Sequence, residues 1–181
     1  MACNSSCFSA RTLAGIPFDC NSNRPGVDEI YIFNHGDITL TPATPYDATG
    51  VPTAGTGAKV FQYCLPKNTA SLSSPMTVSD DGQVTYTNTI VMQFNRLEAS
   101  KHAEISALAY GYIDAIVKDK NGKYWFIGYD EYLAPTDGNA ETGTTSSDRN
   151  GYSLTLASES AYLPFEVSKS DFDTVIVPLI Q

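Results

Sequence analysis

Asn121-Gly122 stands between two β-prone runs, Ile113 to Lys118 and Lys123 to Ile127. Asn-Gly tolerates the positive φ angles of a tight hairpin turn better than almost any other dipeptide. The flanking runs are rich in Ile, Val, Tyr, Trp and Phe, which suit a pleated, half-buried surface. The pattern therefore predicts two antiparallel strands joined by a two-residue loop. That register sets Lys118 opposite Trp125, Val117 opposite Phe126 and Ile116 opposite Ile127. It turns Val117 and Phe126 to the core with Ala115 and Ile113. It also lays Lys118 over Trp125 as a cation–π pair on a half-exposed face.

Residues 83 to 94 give the cleanest strand. Val84, Tyr86, Ile90, Met92 and Phe94 fall on one side, interrupted only by Asn88. Thr85, Thr87, Thr89 and Gln93 fall on the other, with Val91 the exception. At ~3.3 Å per residue the run spans roughly 40 Å, long for a strand. One end is expected to run past its sheet.

A helix is expected next, from about Arg96 to Tyr110. Asn95 is placed to cap it, with Glu98 completing a capping-box pattern. Leu97, Ile105, Leu108 and Ala109 form one apolar stripe, in which Lys101 has to snorkel. Gly111 stands where a left-handed C-terminal residue is expected.

Further strands are expected at Glu29 to Phe33, with Ile38 to Thr41 returning as its hairpin partner. Lys59 to Leu65 is another, with Phe61, Tyr63 and Leu65 on one face. Tyr152, Leu154 and Leu156 mark another, and Thr174 to Ile180 a last β-branched run. Pro, Gly and polar clusters predict long loops at 42–58, 66–82 and 134–150, the first of them open to a short hairpin. Residues 1–28 read as an N-terminal arm and 29–181 as one domain. The fold class is mainly β: a β-sandwich or barrel with one flanking helix at about 96–110.

The chain has 20 Asp and Glu against 11 Lys and Arg, a net charge of −9. That excludes a nucleic-acid binder, which needs a basic surface, and an anionic membrane as partner. From Gly128 onward nine acids face two bases, Arg149 and Lys169, so this segment carries −7 of the total. Such acids suit solvated loops, or a surface that faces something anionic without adhering to it. The charged fraction is low at 17%, and Tyr is abundant with 11 copies. Charge depletion and aromatics suit interfaces, although tyrosines serve sheet packing equally well. No run of ~18 apolar residues offers a membrane span. Met1-Ala2-Cys3-Asn4 begins no charged-then-apolar secretory signal, so a cytoplasmic site of assembly is expected.

Chemistry-bearing patterns are sparse. Cys3, Cys7, Cys20 and Cys64 lack the paired short spacing of zinc knuckles, and reduced thiols are expected. His102-Ala103-Glu104 has the His-x-Glu of a zinc deaminase, but no Pro-Cys-x-x-Cys follows. His35 falls in a turn beside Gly36. Gly55-Thr56-Gly57 is a loop and not a phosphate cradle. Asp80-Asp81-Gly82 and Asp137-Gly138-Asn139 lack the regular acid spacing of a calcium loop. Asp130-Glu131 are paired carboxylates, yet strand neighbours point to opposite faces. No catalytic, cofactor-binding or metal-binding residue is assigned, no cofactor is expected, and the chain is read as non-enzymatic.

A resemblance adds to this. Thr89-Ile90-Val91-Met92-Gln93-Phe94-Asn95, then the helix, then Ala115 to Gly128 with Asn121-Gly122-Lys123-Tyr124-Trp125, stand in a characteristic order. Glu141-Thr142-Gly143-Thr144 and Asp148-Arg149-Asn150-Gly151-Tyr152-Ser153-Leu154-Thr155-Leu156 follow. Across about residues 83 to 167 this ordered set resembles virion structural proteins of tailed bacteriophages, particularly crAss-like phages of Bacteroidetes hosts. The resemblance implies a tail-tube-like β-sandwich whose copies close into a hexameric or dodecameric ring in the tail or neck. It implies neighbouring tail, portal or ring proteins as partners. Genomic DNA would pass through without specific binding, no membrane is involved, and the protein resides in the virion. The residues alone leave a second reading, a secreted or surface carbohydrate- or ligand-binding β-sandwich. That reading expects an exposed aromatic platform.

Overall fold

The computed structural model describes residues 16, 22–42, 48–145 and 147–181. Ile30, Tyr31, Ile32 and Phe33 are consecutive and all buried, so the strand that carries them is covered on both faces. This is β1 (Val27–Asn34). The strands that follow before the helix are β2 (Ile38–Pro42), β3 (Gly50–Ala54), β4 (Phe61–Cys64), β5 (Ala70–Ser73), β6 (Met76–Val78) and β7 (Val84–Asn95). Then come α1 (Ala99–Tyr110), β8 (Ile113–Asp119), β9 (Tyr124–Ile127), β10 (Ala134–Glu141), β11 (Gly151–Ser160) and β12 (Phe165–Val167).

The fold is a mainly β sandwich with a flanking helix. One sheet has the order β12-β9-β8-β1-β4. The other runs β10-β11-β7, with β5 and β6 paired in succession along the far edge of β7. The main core lies between them: Ile30, Ile32, Ala115 and Val117 from the first sheet meet Ile90, Met92, Leu154 and Leu156 from the second. Leu108 of α1 joins this core. Tyr63 of β4 donates to Glu104, and Tyr152 of β11 donates to the Glu98 carbonyl. The helix thus bridges the two sheets along one side.

The outer face of the first sheet has its own core. Tyr31, Phe33, Ile116 and Phe126 are covered there by Ile38 and Leu40 of β2 and by Phe172 and Ile176. Coverage on both faces explains why β1 and β8 read as continuous apolar runs.

Several expectations need correction. β2 pairs with β3 in a separate ribbon and not with β1. The segments expected as loops contain strands: β3 within 42–58, β5 and β6 within 66–82, and β10 within 134–150. These strands are short, or polar and at an edge, so no alternation announces them. Among the described residues there are twelve strands. β1 begins at Val27, inside the segment read as an arm.

The helix begins at Ala99, with Glu98 at the cap position and no side-chain cap. Arg96 has a φ of 64°, which breaks the helical path after Asn95. Asn150 fixes that break by accepting from the Arg96 and Leu97 amides. Gly111 is extended with a φ of −84°, not left-handed. Lys101 does leave the apolar stripe, bonding the Asn95 carbonyl and Glu98.

The β8–β9 hairpin exists, but its register is one residue off the expected one. Val117 pairs with Trp125, Ile116 with Phe126, and Lys118 with Tyr124. The loop is a three-residue one. Gly122 donates to the Asp119 carbonyl at 3.0 Å and takes a φ of 81°. The Asp119 carboxylate accepts from the amides of Asn121 and Lys123, which favours this longer turn. One residue of slip exchanges faces. Phe126 therefore lies in the outer core and Val117 in the inner one. The cation–π pair is not formed: Lys118 bonds Asp28 and Glu29, and the Trp125 indole donates to Asp119.

The tail is not a strand. Lys169–Asp171 is α-helical, Phe172–Ile176 is a π turn and Val177–Leu179 is 3₁₀. Ser168 caps the start by accepting from the Asp171 amide. Phe172 and Ile176, four residues apart, sink into the outer core and override the β-branched composition.

Antiparallel pairing puts the Asn95 end of β7, the Gly151 end of β11 and the Glu141 end of β10 together at one end of the second sheet. At the other, the ribbon end, β7 starts and passes its last β11 partner at Tyr86, and its Val84 and Thr85 pair only with β6. The long strand thus runs past part of its sheet. The acids after Gly128 do not share one surface. Glu141 and Asp148 lie at the Asn95 end of β7, while Asp130 and Glu159 lie at the ribbon end.

Candidate functional site

At the ribbon end β1 stops, the chain turns through His35-Gly36, and β8 starts alongside. His35 donates its amide to the Tyr112 carbonyl at 2.9 Å. The same turn brings the His35 ring to Asp114, with Nδ1 at 2.9 and 3.0 Å from the two carboxylate oxygens. Asp114 is almost completely buried, and the His35 side chain is half-exposed. Burial pushes the Asp114 carboxyl up to about 6, against the opposing pull of His35. Gly128 makes the close packing possible. Its φ is 108°, and a Cβ there would sit 2.1 Å from the Asp114 Oδ1.

This pair forms part of the wall of a cleft of about 530 Å³, together with Ile38, Leu40, Phe126, Tyr129, Asp130 and Tyr162. Aromatic rings crowd its rim. Tyr132 lies edge-on to both His35 and Tyr112, at 5.9 and 4.5 Å between centroids. Tyr129 packs against Tyr162 and Phe165. Tyr110 and Tyr112 are widely exposed, Tyr112 to 65%. An imidazole anchored through Nδ1 by a buried carboxylate presents its other nitrogen in a fixed direction. The arrangement can hold a polar group against an apolar, aromatic wall.

The second feature of this end is the β6–β7 ribbon. Met76 pairs with Tyr86 and Val78 with Val84, so these four share one face. It is the face that carries Asn88, Ile90 and Met92 further along β7. Met76, Val78 and Val84 are 60, 56 and 39% exposed.

The other sequence candidates are scattered. His102 is exposed on α1 beside the Tyr152 ring, and Glu104 is engaged by Tyr63. The Asp130 carboxylate accepts from the Ser160 hydroxyl and the Ala161 amide, which ties two loops together. Asp80-Asp81-Gly82 is the tip of the ribbon, where Ser79 donates to Asp81. Gly55 and Gly57 belong to the turn after β3, with the Gly55 amide on the Asp37 carbonyl. Asp137 and Gly138 lie in β10. Cys64 is exposed on β4, and Cys3, Cys7 and Cys20 lie outside the described residues. Among the described residues no three His, Cys, Asp or Glu side chains are grouped to hold a metal ion. Among them also, no helix is long and apolar enough to cross a membrane. Sequence reading noticed His35 but missed Asp114, 79 residues away, and no local signal joins them.

Comparisons with protein-family models, with curated proteins and with solved structures find no match for this chain.

Proposed function

We propose that this chain is a non-enzymatic structural protein of a tailed-bacteriophage virion, forming a ring in the tail or neck that lines or extends the DNA conduit. One observation carries the reading. The second sheet ends in β10 on one side and in β5 and β6 on the other. Strand edges on opposite sides of one subunit favour heterologous pairing with the next copy, and such pairing closes into rings when the rotation permits. The acidic ribbon end is compatible with DNA passing without adhesion. Neighbouring tail, neck or portal proteins are the other partners, and no cofactor enters this role. Mass spectrometry of purified phage particles is the test. Recovery at six or twelve copies per virion is the expected result, and absence from particles overturns the proposal.

A second reading, a carbohydrate- or ligand-binding module, is favoured by one observation. Tyr112 and Tyr132 form an exposed pair of rings beside the His35–Asp114 cleft. Titration with a panel of oligosaccharides, followed by tyrosine fluorescence, separates the two. Saturable binding lost in Tyr112→Ala supports the module, and no response across the panel removes it.

A further inference from the structure

The described residues that line the His35–Asp114 cleft include two carboxylates, Asp114 and Asp130, and no Lys or Arg. We infer that the cleft binds an organic cation carried on an alkyl stem, its charge beside Asp130 and the Tyr129 and Tyr162 rings and its stem on the apolar wall.

The cavity has the form of a small-molecule site. Its volume of about 530 Å³ and its mixture of apolar, aromatic and a few polar groups suit one small ligand. Ile38, Leu40 and Phe126 make the apolar wall and are anchored in the outer core. Tyr129 and Tyr162 meet edge to face, 5.5 Å between centroids and 85° between planes. Aromatic faces carry negative charge density and attract an ammonium group.

The charges select the sign of the ligand. The Asp130 carboxylate accepts from the Ser160 hydroxyl and the Ala161 amide, both neutral, and it meets no cation among the described residues. Asp114 has the His35 ring against it, while repulsion from Asp37 in the same turn also reaches it. An ionised Asp114 accepts the Nδ1 proton of a neutral His35, whose Nε2 is then a lone pair and not a donor. The cleft thus presents acceptors and negative charge, and the complement it lacks is a positively charged donor. The same charges repel an anion and leave a neutral ligand without its strongest contact. A bound cation also favours the ionised Asp114, whose carboxyl burial pushes up to about 6. The inference stands apart from the virion and oligosaccharide readings, neither of which needs a cation.

The test is nuclear magnetic resonance titration of the isotope-labelled full chain with n-butylammonium at neutral pH. The signals to follow are the Gly36 and Gly128 amides, in the wall of the cleft. Saturable shifts with a dissociation constant of about 1 to 10 mM are expected for so small a probe. n-Butanol and butyrate, equal in length but neutral or negative, are expected to bind at least about tenfold more weakly. This comparison needs no substitution and decides the matter even if a variant unfolds. Asp130→Asn and Tyr129→Leu are each expected to weaken butylammonium binding at least about threefold, with the remaining signals as dispersed as in the wild type. A short peptide with one central lysine separates two sources of the cation. Tighter binding than butylammonium assigns the cleft to a partner's lysine side chain and weaker binding to a free amine, and both support a cation site. No saturable shift with butylammonium or the peptide up to about 50 mM overturns the inference. So does butanol or butyrate binding as tightly as the cation, or binding that either substitution leaves unchanged.

Discussion

Ile90 and Val84 lie on the same face of the same strand, six residues apart. Ile90 is fully buried and Val84 is 39% exposed. Alternation determines which way each side chain points, and it is identical for both. The difference is what lies opposite. Ile90 faces the first sheet, whereas Val84 lies past the end of the sandwich, on a ribbon paired only with β6. Between them the face becomes polar. Asn88 and Ser158 are buried cross-strand neighbours, and the Asn88 Oδ1 and Ser158 Oγ find no partner among the described residues. A side-chain pattern therefore states an orientation, and the neighbouring layer decides whether that orientation means a core or a contact surface.

Four substitutions probe this contrast, in falling order of effect. Ile90→Ala removes a residue from the covered stretch and is expected to cost about 2 to 5 kcal/mol in urea unfolding. A loss under about 1 kcal/mol would mean that the inner core is not closed there. Asp114→Asn acts at the ribbon end. The folded state holds the Asp114 proton up to a pH of about 6, and the unfolded chain releases it near ~4. Wild-type stability therefore falls as pH rises through that window, by about 2 to 3 kcal/mol if Asp114 acts alone. The Asn variant lacks this slope, so parallel melting-temperature curves for the two proteins from pH 4 to 7 would contradict the assignment. Ser158→Ala removes a buried, unpartnered hydroxyl and is expected to be neutral or to stabilise by up to about 1 kcal/mol. A clear destabilisation would show that the hydroxyl is satisfied in solution. Val84→Thr is expected to change the unfolding free energy of the dilute monomer by no more than about 0.5 kcal/mol. If it costs as much as Ile90→Ala, the ribbon is already covered within one copy.

How far the sequence could be read follows the same division. β7 was legible because its residues alternate with only two breaks, at Asn88 and Val91. The β8–β9 hairpin was legible in place but not in register, because Asp119 uses its carboxylate to hold a longer loop. β10 was hidden, since Ala134 to Glu141 is an edge strand with no buried residue and so no alternation. The tail misled, because Thr174, Val175, Ile176 and Val177 have β-branched side chains, yet the Ser168 cap and the burial of Phe172 and Ile176 fix helical turns. Of the site, His35, Asp130 and the tyrosines were visible. The Asp114 partnership is made by strand order, which no local pattern encodes.

That strand order also governs how the molecule comes into being. β1 is flanked in its sheet by β8, with Val27 opposite Asp119 and Asn34 opposite Ile113. Four successive buried residues, Ile30 to Phe33, are among the first of the described chain to leave the ribosome. Their principal partner follows only after β2 to β7 and the helix have emerged. Pairings this distant in sequence form slowly, because a long loop must close before they are rewarded. During synthesis β1 is thus an apolar strand with its central neighbour still unmade, and it stays open to wrong partners until residue 119 arrives.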